Sequence, residues 1–175
     1  WGWRADGNRA TSKCVKNTRR TRASRYPMAM HTVMALSLDL DDTLWPIWPT
    51  IERAELCLHE FLLLHAPKTA ERFPIQGMRH LREHVAQEHP ELAHDFTAQR
   101  RISLSHAFRL TGESQDLVDP AFEAFFAARN DVTLYQDCLP ALEHLAAKLP
   151  IIALTNGNAD LQLTGVARFF TECIS

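Results

Sequence analysis

A chain of 175 residues, 46% hydrophobic and 23% charged, is long enough for one ordinary domain with a core of its own. Its net charge of −2 is unevenly spread: residues 1–27 carry +7 and the remainder −9, and so acidic a body speaks against nucleic acid as the main partner. The longest apolar run, Phe61-Leu62-Leu63-Leu64, is far too short to span a membrane.

Residues 1–32 form a basic extension rich in Arg, Thr, Ser and Asn, without apolar periodicity. A transit peptide or a nucleic-acid arm would share that composition. The plainer reading is translated upstream sequence, since Met28, Met30 and Met34 all lie before or at the start of the first apolar run. The extension is expected to be disordered and to carry no part of the activity.

Val33–Leu38 is a short apolar run and reads as a buried strand. Pro46 and Pro49 then break the chain. From Thr50 the spacing of Ile51, Ala54, Leu58 and Phe61/Leu62 is helical, and Pro67 ends it. A second helix runs from about Ile75 to Glu88. Asp95 is placed to cap a third, closed by Gly112, and Ser114 to open a fourth with Leu117, Phe122, Phe125 and Phe126 inward. The pattern then changes. Pro140 starts a helix through Lys148, and Ile151–Leu154 is a second buried strand ending at Thr155-Asn156-Gly157-Asn158. A short helix and a third strand near Thr171–Ile174 follow.

Two apolar strands ending in polar clusters, with a helix before the second, predict an α/β fold with a Rossmann-like parallel sheet. Residues 33–46 and 131–175 form its core, and 47–130 an inserted all-helical cap. The four cysteines lack metal or disulfide spacing and read as reduced thiols of a cytoplasmic protein, with Cys57, Cys138 and Cys173 in apolar surroundings.

The chemistry sits in Leu38-Asp39-Leu40-Asp41-Asp42-Thr43-Leu44. Side chains two apart in an extended segment share a side, so Asp39 and Asp41 converge while Leu40 points away. Such a pair suits a hard divalent metal, or a charged nucleophile beside a protonated acid. Ligands in open α/β sheets bind outside the carboxyl ends of the strands, so Thr155 and Asn156 are expected in the same crevice.

These residues resemble the haloacid dehalogenase-like hydrolases. Leu38–Leu44 is similar to their first motif, Leu154–Asn158 to their second, and the helical insert to their type 1 cap. Within the superfamily the likeness is greatest to bacterial flavin mononucleotide phosphatases, which also act on a phosphorylated ribitylaminopyrimidine of riboflavin biosynthesis. The resemblance implies a phosphatase of small phosphorylated metabolites. Asp39 would be the nucleophile, Asp41 the general acid and then base, and Mg²⁺ would be held by the Asp39 carboxylate and the Asp41 backbone carbonyl. Thr155 would hydrogen-bond a phosphate oxygen, with Asn156 and Gly157 adding N–H donors at a helix start. Halide displacement needs no proton on the leaving group, so Asp41 favours a phosphatase over a dehalogenase. Arg100 is expected to reach substrate from the cap, with a surface ion pair as its alternative. Trp45 is expected to stack on a flat substrate ring or to pack the hinge.

The family also requires a third-motif lysine and fourth-motif acids downstream. No lysine follows Lys148, and Glu172 is the only acidic side chain after Asp160. The resemblance therefore implies a chain cut short, with little activity alone and an open edge on its first strand. A phosphate-binding fragment without turnover is the alternative. Two other readings fare worse. His80-Leu81-Arg82-Glu83-His84 fits an inverted zinc-peptidase motif, but a solvated helix face explains it more simply. A phospho-accepting receiver domain would not hold so long an insert between Asp41 and Thr155.

Overall fold

The computed structural model describes residues 33–175, so the basic extension, with Cys14, lies outside the described residues. Three short parallel strands form one sheet in the order β1-β2-β3: β1 (Leu36–Leu38), β2 (Ile151–Leu154) and β3 (Glu172–Ile174). Leu36 stands opposite Ile151, and Ile152 opposite Glu172. The first strand is shorter than its apolar run. Pro150 precedes β2 and has no N–H; its carbonyl accepts from Leu36 N, and the ladder begins there. Val33 and Met34 are left unpaired and exposed.

Five helices form the insert that follows β1: α1 (Ile47–His65), α2 (Pro67–Arg72), α3 (Ile75–Glu88), α4 (Phe96–Thr111) and α5 (Val118–Asn130). Their apolar stripes meet around Leu58, Leu62, Leu104, Phe108 and Phe125. The two prolines start α1 and do not break it. Pro46 is its N-cap, and Pro49 lies in the first turn, where a missing N–H costs no intrahelical bond. Asp95 caps α4 by accepting from Ala98 N, and Gly112 closes it at φ 71, a left-handed conformation suited to glycine. Ser114 opens a single 3₁₀ turn, so α5 begins later than its sequence suggests.

A sixth helix, α6 (Cys138–Ala146), packs on the sheet with Leu142, Ile151, Ala153 and Leu40 in a second apolar cluster. The short helix expected after β2 is reduced to a single 3₁₀ turn, Ala167–Phe169, and no α-helix forms there. Asp160 instead accepts from Gln162 N and Leu163 N, and Gly165 at φ 77 turns the chain. Cys57 is half-buried and Cys138 buried, as expected. Cys173 is exposed, because nothing among the described residues covers β3.

Candidate active site

The alternation expected of the first motif is realised. Leu40 is fully buried, while Asp39 is exposed and Asp41 half-buried on the opposite side of the backbone. The loop then turns sharply. Asp42 adopts φ 57, which an aspartate tolerates, and its carboxylate accepts from Ile47 N at 2.9 Å, holding the start of α1. Thr43 contributes its backbone N–H, given to Leu40 O.

Asp41 is fixed by three contacts. Trp45 Nε1 donates to Oδ1 at 2.8 Å, and Arg129 Nη2 donates to both carboxylate oxygens at 2.7 Å. Arg129, at the end of α5, is 1% exposed, and its Nη1 is buried with no hydrogen-bond partner. A guanidinium so enclosed needs a counter-charge, and Asp41 supplies it. Arg129 also spans the two apolar clusters, since α5 belongs to the helical one and Asp41 follows β1. It carried no sequence signal. A basic residue in the last turn of a helix is ordinary, and Arg129 lies 88 residues from its partner.

Trp45 is the hinge-packing residue of its two expected roles. Its 0% exposure rules out stacking on a substrate ring, whereas Trp48 is 67% exposed. The loop after β2 closes on Asp41 from the other side. Thr155 is buried, and its Oγ accepts from Gly157 N at 3.0 Å, leaving the hydroxyl proton free to donate. Gly157 N–H is therefore engaged within the loop, and no helix starts there, contrary to expectation. Asn156 is exposed. A Cβ built on Gly157 would stand 2.5 Å from Asp41 Oδ2 and 3.4 Å from both Arg129 Nη2 and Thr155 Oγ, so these groups converge on one point. Asn130 holds the loop, its side-chain oxygen accepting from Asp160 N at 2.7 Å.

Above this point lies a cavity of about 280 Å³, walled by Asp41, Arg129, Asn156, Gly157 and Asn158 on one side and by Ile51, Arg82, Phe96, Arg100 and Phe125 of the helices on the other. Arg100 and its neighbour part company. Arg101 lies over the Phe122 ring and pairs with Asp119 and Glu123 at the surface. Arg100 is 6% exposed, with its guanidinium carbon 3.4 Å from the Phe125 ring centre. Burial first, and the Arg82 cation second, push the Arg100 guanidinium down to about 9 against a weaker upward pull from Glu55.

The Asp39 carboxylate makes no hydrogen bond or ion pair among the described residues. Among the described residues no three His, Cys, Asp or Glu side chains gather to hold a metal. Mg²⁺ commonly binds through one or two carboxylates, substrate phosphate and retained waters, and the exposed Asp39 carboxylate, unpaired among the described residues, is a donor of that type. On α3, His84 faces Glu88 at 3.5 Å, both exposed, as on a solvated helix face.

No family model matches the chain. It is 31% identical over 150 residues to the 5-amino-6-(5-phospho-D-ribitylamino)uracil phosphatase YigB of Escherichia coli K12, covering 83% of this chain and 63% of that protein. The crystal structure of a 2-haloacid dehalogenase from Pseudomonas syringae pv. tomato DC3000 superposes with a TM-score of 0.75 at 34% identity, over 82% of this chain and 64% of that one. The chain thus spans somewhat less than two thirds of either protein's length.

Proposed function

We propose that this chain, which belongs to the haloacid dehalogenase-like hydrolase superfamily, carries the nucleophile, acid and cap of a Mg²⁺-dependent phosphatase of small phosphorylated metabolites. The observation that supports this most is the setting of Asp41. A second carboxylate, anchored by Arg129 and Trp45 against Thr155 and Gly157, has a use when the leaving group is an alkoxide and none when it is a halide.

In the proposed reaction an Asp39 oxygen attacks phosphorus as the ester P–O bond breaks, and Asp41 gives a proton to the departing alkoxide. Asp41 is the counter-ion of Arg129 in the free site, so it takes up that proton only once the incoming phosphoryl group neutralises Arg129 in its place. Water then attacks the aspartyl-phosphate. Asp41 takes the water's proton, and the bond from phosphorus to Asp39 breaks to release phosphate. The Thr155 hydroxyl donates to a phosphoryl oxygen. Mg²⁺, when bound at the Asp39 carboxylate and Asp41 carbonyl, offsets charge on the phosphoryl group. Phosphorylated ribitylaminouracil, the substrate named for the E. coli relative, and flavin mononucleotide are candidate substrates. A cytoplasmic setting accords with this reading; among the described residues no helix is long and apolar enough to cross a membrane.

One observation favours a second reading, phosphate binding without turnover: among the described residues no cation pairs with Asp39. Phosphate release from p-nitrophenyl phosphate and from these candidate esters, with and without Mg²⁺, separates the two. Release that needs Mg²⁺ and is lost in Asp39→Asn supports the phosphatase. Binding of inorganic phosphate without release favours the second reading, and neither binding nor release overturns both.

A further inference from the structure

Arg100 is a buried cation with nothing to neutralise it. Its guanidinium lies over the face of the Phe125 ring. That ring face offsets part of the charge but accepts none of the five N–H bonds a guanidinium can donate. Among the described residues Arg100 forms no ion pair and no side-chain hydrogen bond. The nearest acid, Glu55, is itself 6% exposed and already bound by Arg79, whose Nε donates to it at 2.7 Å. A second cation, half-buried Arg82, also without an ion pair among the described residues, opens on the same cavity. Two like charges held together at the edge of an enclosed space cost stability unless something anionic enters.

Asp41 cannot serve, because Arg129 has it. The cavity therefore has two poles. At the core end Asp41, Arg129, Thr155 and Gly157 are mutually satisfied apart from the Thr155 hydroxyl proton and Arg129 Nη1. At the helical end two guanidinium groups have no partner. Ile47, Ile51 and Phe96 line the space alongside them. Its volume of about 280 Å³ is just under the roughly 300–1,000 Å³ of sites for drug-sized ligands.

We propose that Arg100 and Arg82 form a second anion subsite, and that the substrate is a small phosphomonoester carrying another acidic group, a carboxylate or second phosphate, at its far end. This rests on the phosphatase reading for the identity of the first anion. The subsite itself rests on the unpaired cations. It selects substrates by charge: an ester ending in a neutral hydroxyl would leave both guanidinium groups unpaired, as would the neutral ring systems of the two candidate esters named above, which this subsite ranks below doubly acidic ones.

The test is equilibrium binding, by calorimetry on the full chain, of two matched pairs: 3-phosphoglycerate against glycerol 3-phosphate, and 6-phosphogluconate against glucitol 6-phosphate. Charge-assisted hydrogen bonds predict that the acid of at least one pair binds about ten- to a hundredfold tighter than its neutral counterpart. The preference should vanish in Arg100→Met and shrink in Arg82→Met. Arg100→Met should also raise the urea midpoint, since it removes an uncompensated buried charge where a merely structural arginine would lower it. Equal affinities within both pairs, no binding of any of the four, a preference that survives Arg100→Met, or a lowered midpoint overturns the proposal. Absence of phosphate release with the charge preference intact would refute the phosphatase reading and leave the subsite standing.

Discussion

Gly157→Ala offers a severe test of how the site is assembled. The new Cβ would lie 2.5 Å from Asp41 Oδ2, well inside the roughly 3.3–3.6 Å of even a weak C–H···O contact. The Gly157 φ is not left-handed, so alanine's backbone is unstrained, and its effect on the unfolded chain favours folding by about 0.4–1 kcal/mol. Against that stand about 1–3 kcal/mol for overpacking and about 1.5–3 kcal/mol if the carboxylate is driven off its charged hydrogen bonds. With both costs incurred, a net loss of about 1.5–5.5 kcal/mol follows. The assay is urea unfolding followed by far-ultraviolet circular dichroism, run also in an Asp41→Ala background. There the obstructing oxygen is gone; Arg129 Nη2 and Thr155 Oγ, at 3.4 Å, are the next contacts, and the same substitution should be neutral or slightly stabilising. An equal loss in both backgrounds, or a loss below about 0.5 kcal/mol in the native one, would refute the convergence of Asp41 and Gly157.

Three further outcomes follow from the same contacts. Arg129→Met should cost about 1–3 kcal/mol in urea unfolding, below the 3–5 kcal/mol of a fully buried pair because the Asp41 side chain is 18% exposed. Trp45→Phe keeps one aromatic ring but removes the indole N–H bonded to a carboxylate and leaves a small buried void, so it should cost at least about 1.5–3 kcal/mol. Arg100 makes binding and stability respond oppositely to alkaline pH. Burial pushes the folded protein's Arg100 guanidinium down to about 9, well below its ordinary range in the unfolded chain, so this group's contribution to stability rises toward alkaline pH. Affinity for doubly acidic esters, which needs the cation, should fall through the same range; Arg82, Glu55 and Arg79 are the charges around it. An affinity flat from pH 8 to 10 by calorimetry would contradict this.

How far the site could be read from sequence depended on whether its parts are local. Asp39, Asp41 and Thr155 sit at strand ends, where short apolar runs announce them. The burial of Arg100 was also readable, because Phe96, Arg100, Leu104 and Phe108 follow one another at i+4 and so lie on one stripe of α4. Its unpaired state was not, since that depends on Glu55 having been taken by Arg79 from another helix. Arg129 was invisible for the same reason: its role exists only once α5 is folded back against the loop after β1. The loop after β2 misled because Thr155 and Asp160 bond to nearby backbone, and those bonds replace the first turn of the expected helix. Strand lengths were overestimated because hydrophobicity marks burial, whereas pairing needs a partner, and Pro150 sets where the partner begins.

The most direct test of Asp39 as phosphoryl acceptor is ¹⁹F NMR of the chain with beryllium fluoride, which adds to phosphate-accepting carboxylates as a phosphoryl mimic, in the presence of Mg²⁺. A bound fluoride resonance that needs Mg²⁺ and disappears in Asp39→Asn is the predicted result. No bound resonance in the native chain, or the same resonance in Asp39→Asn, would contradict it.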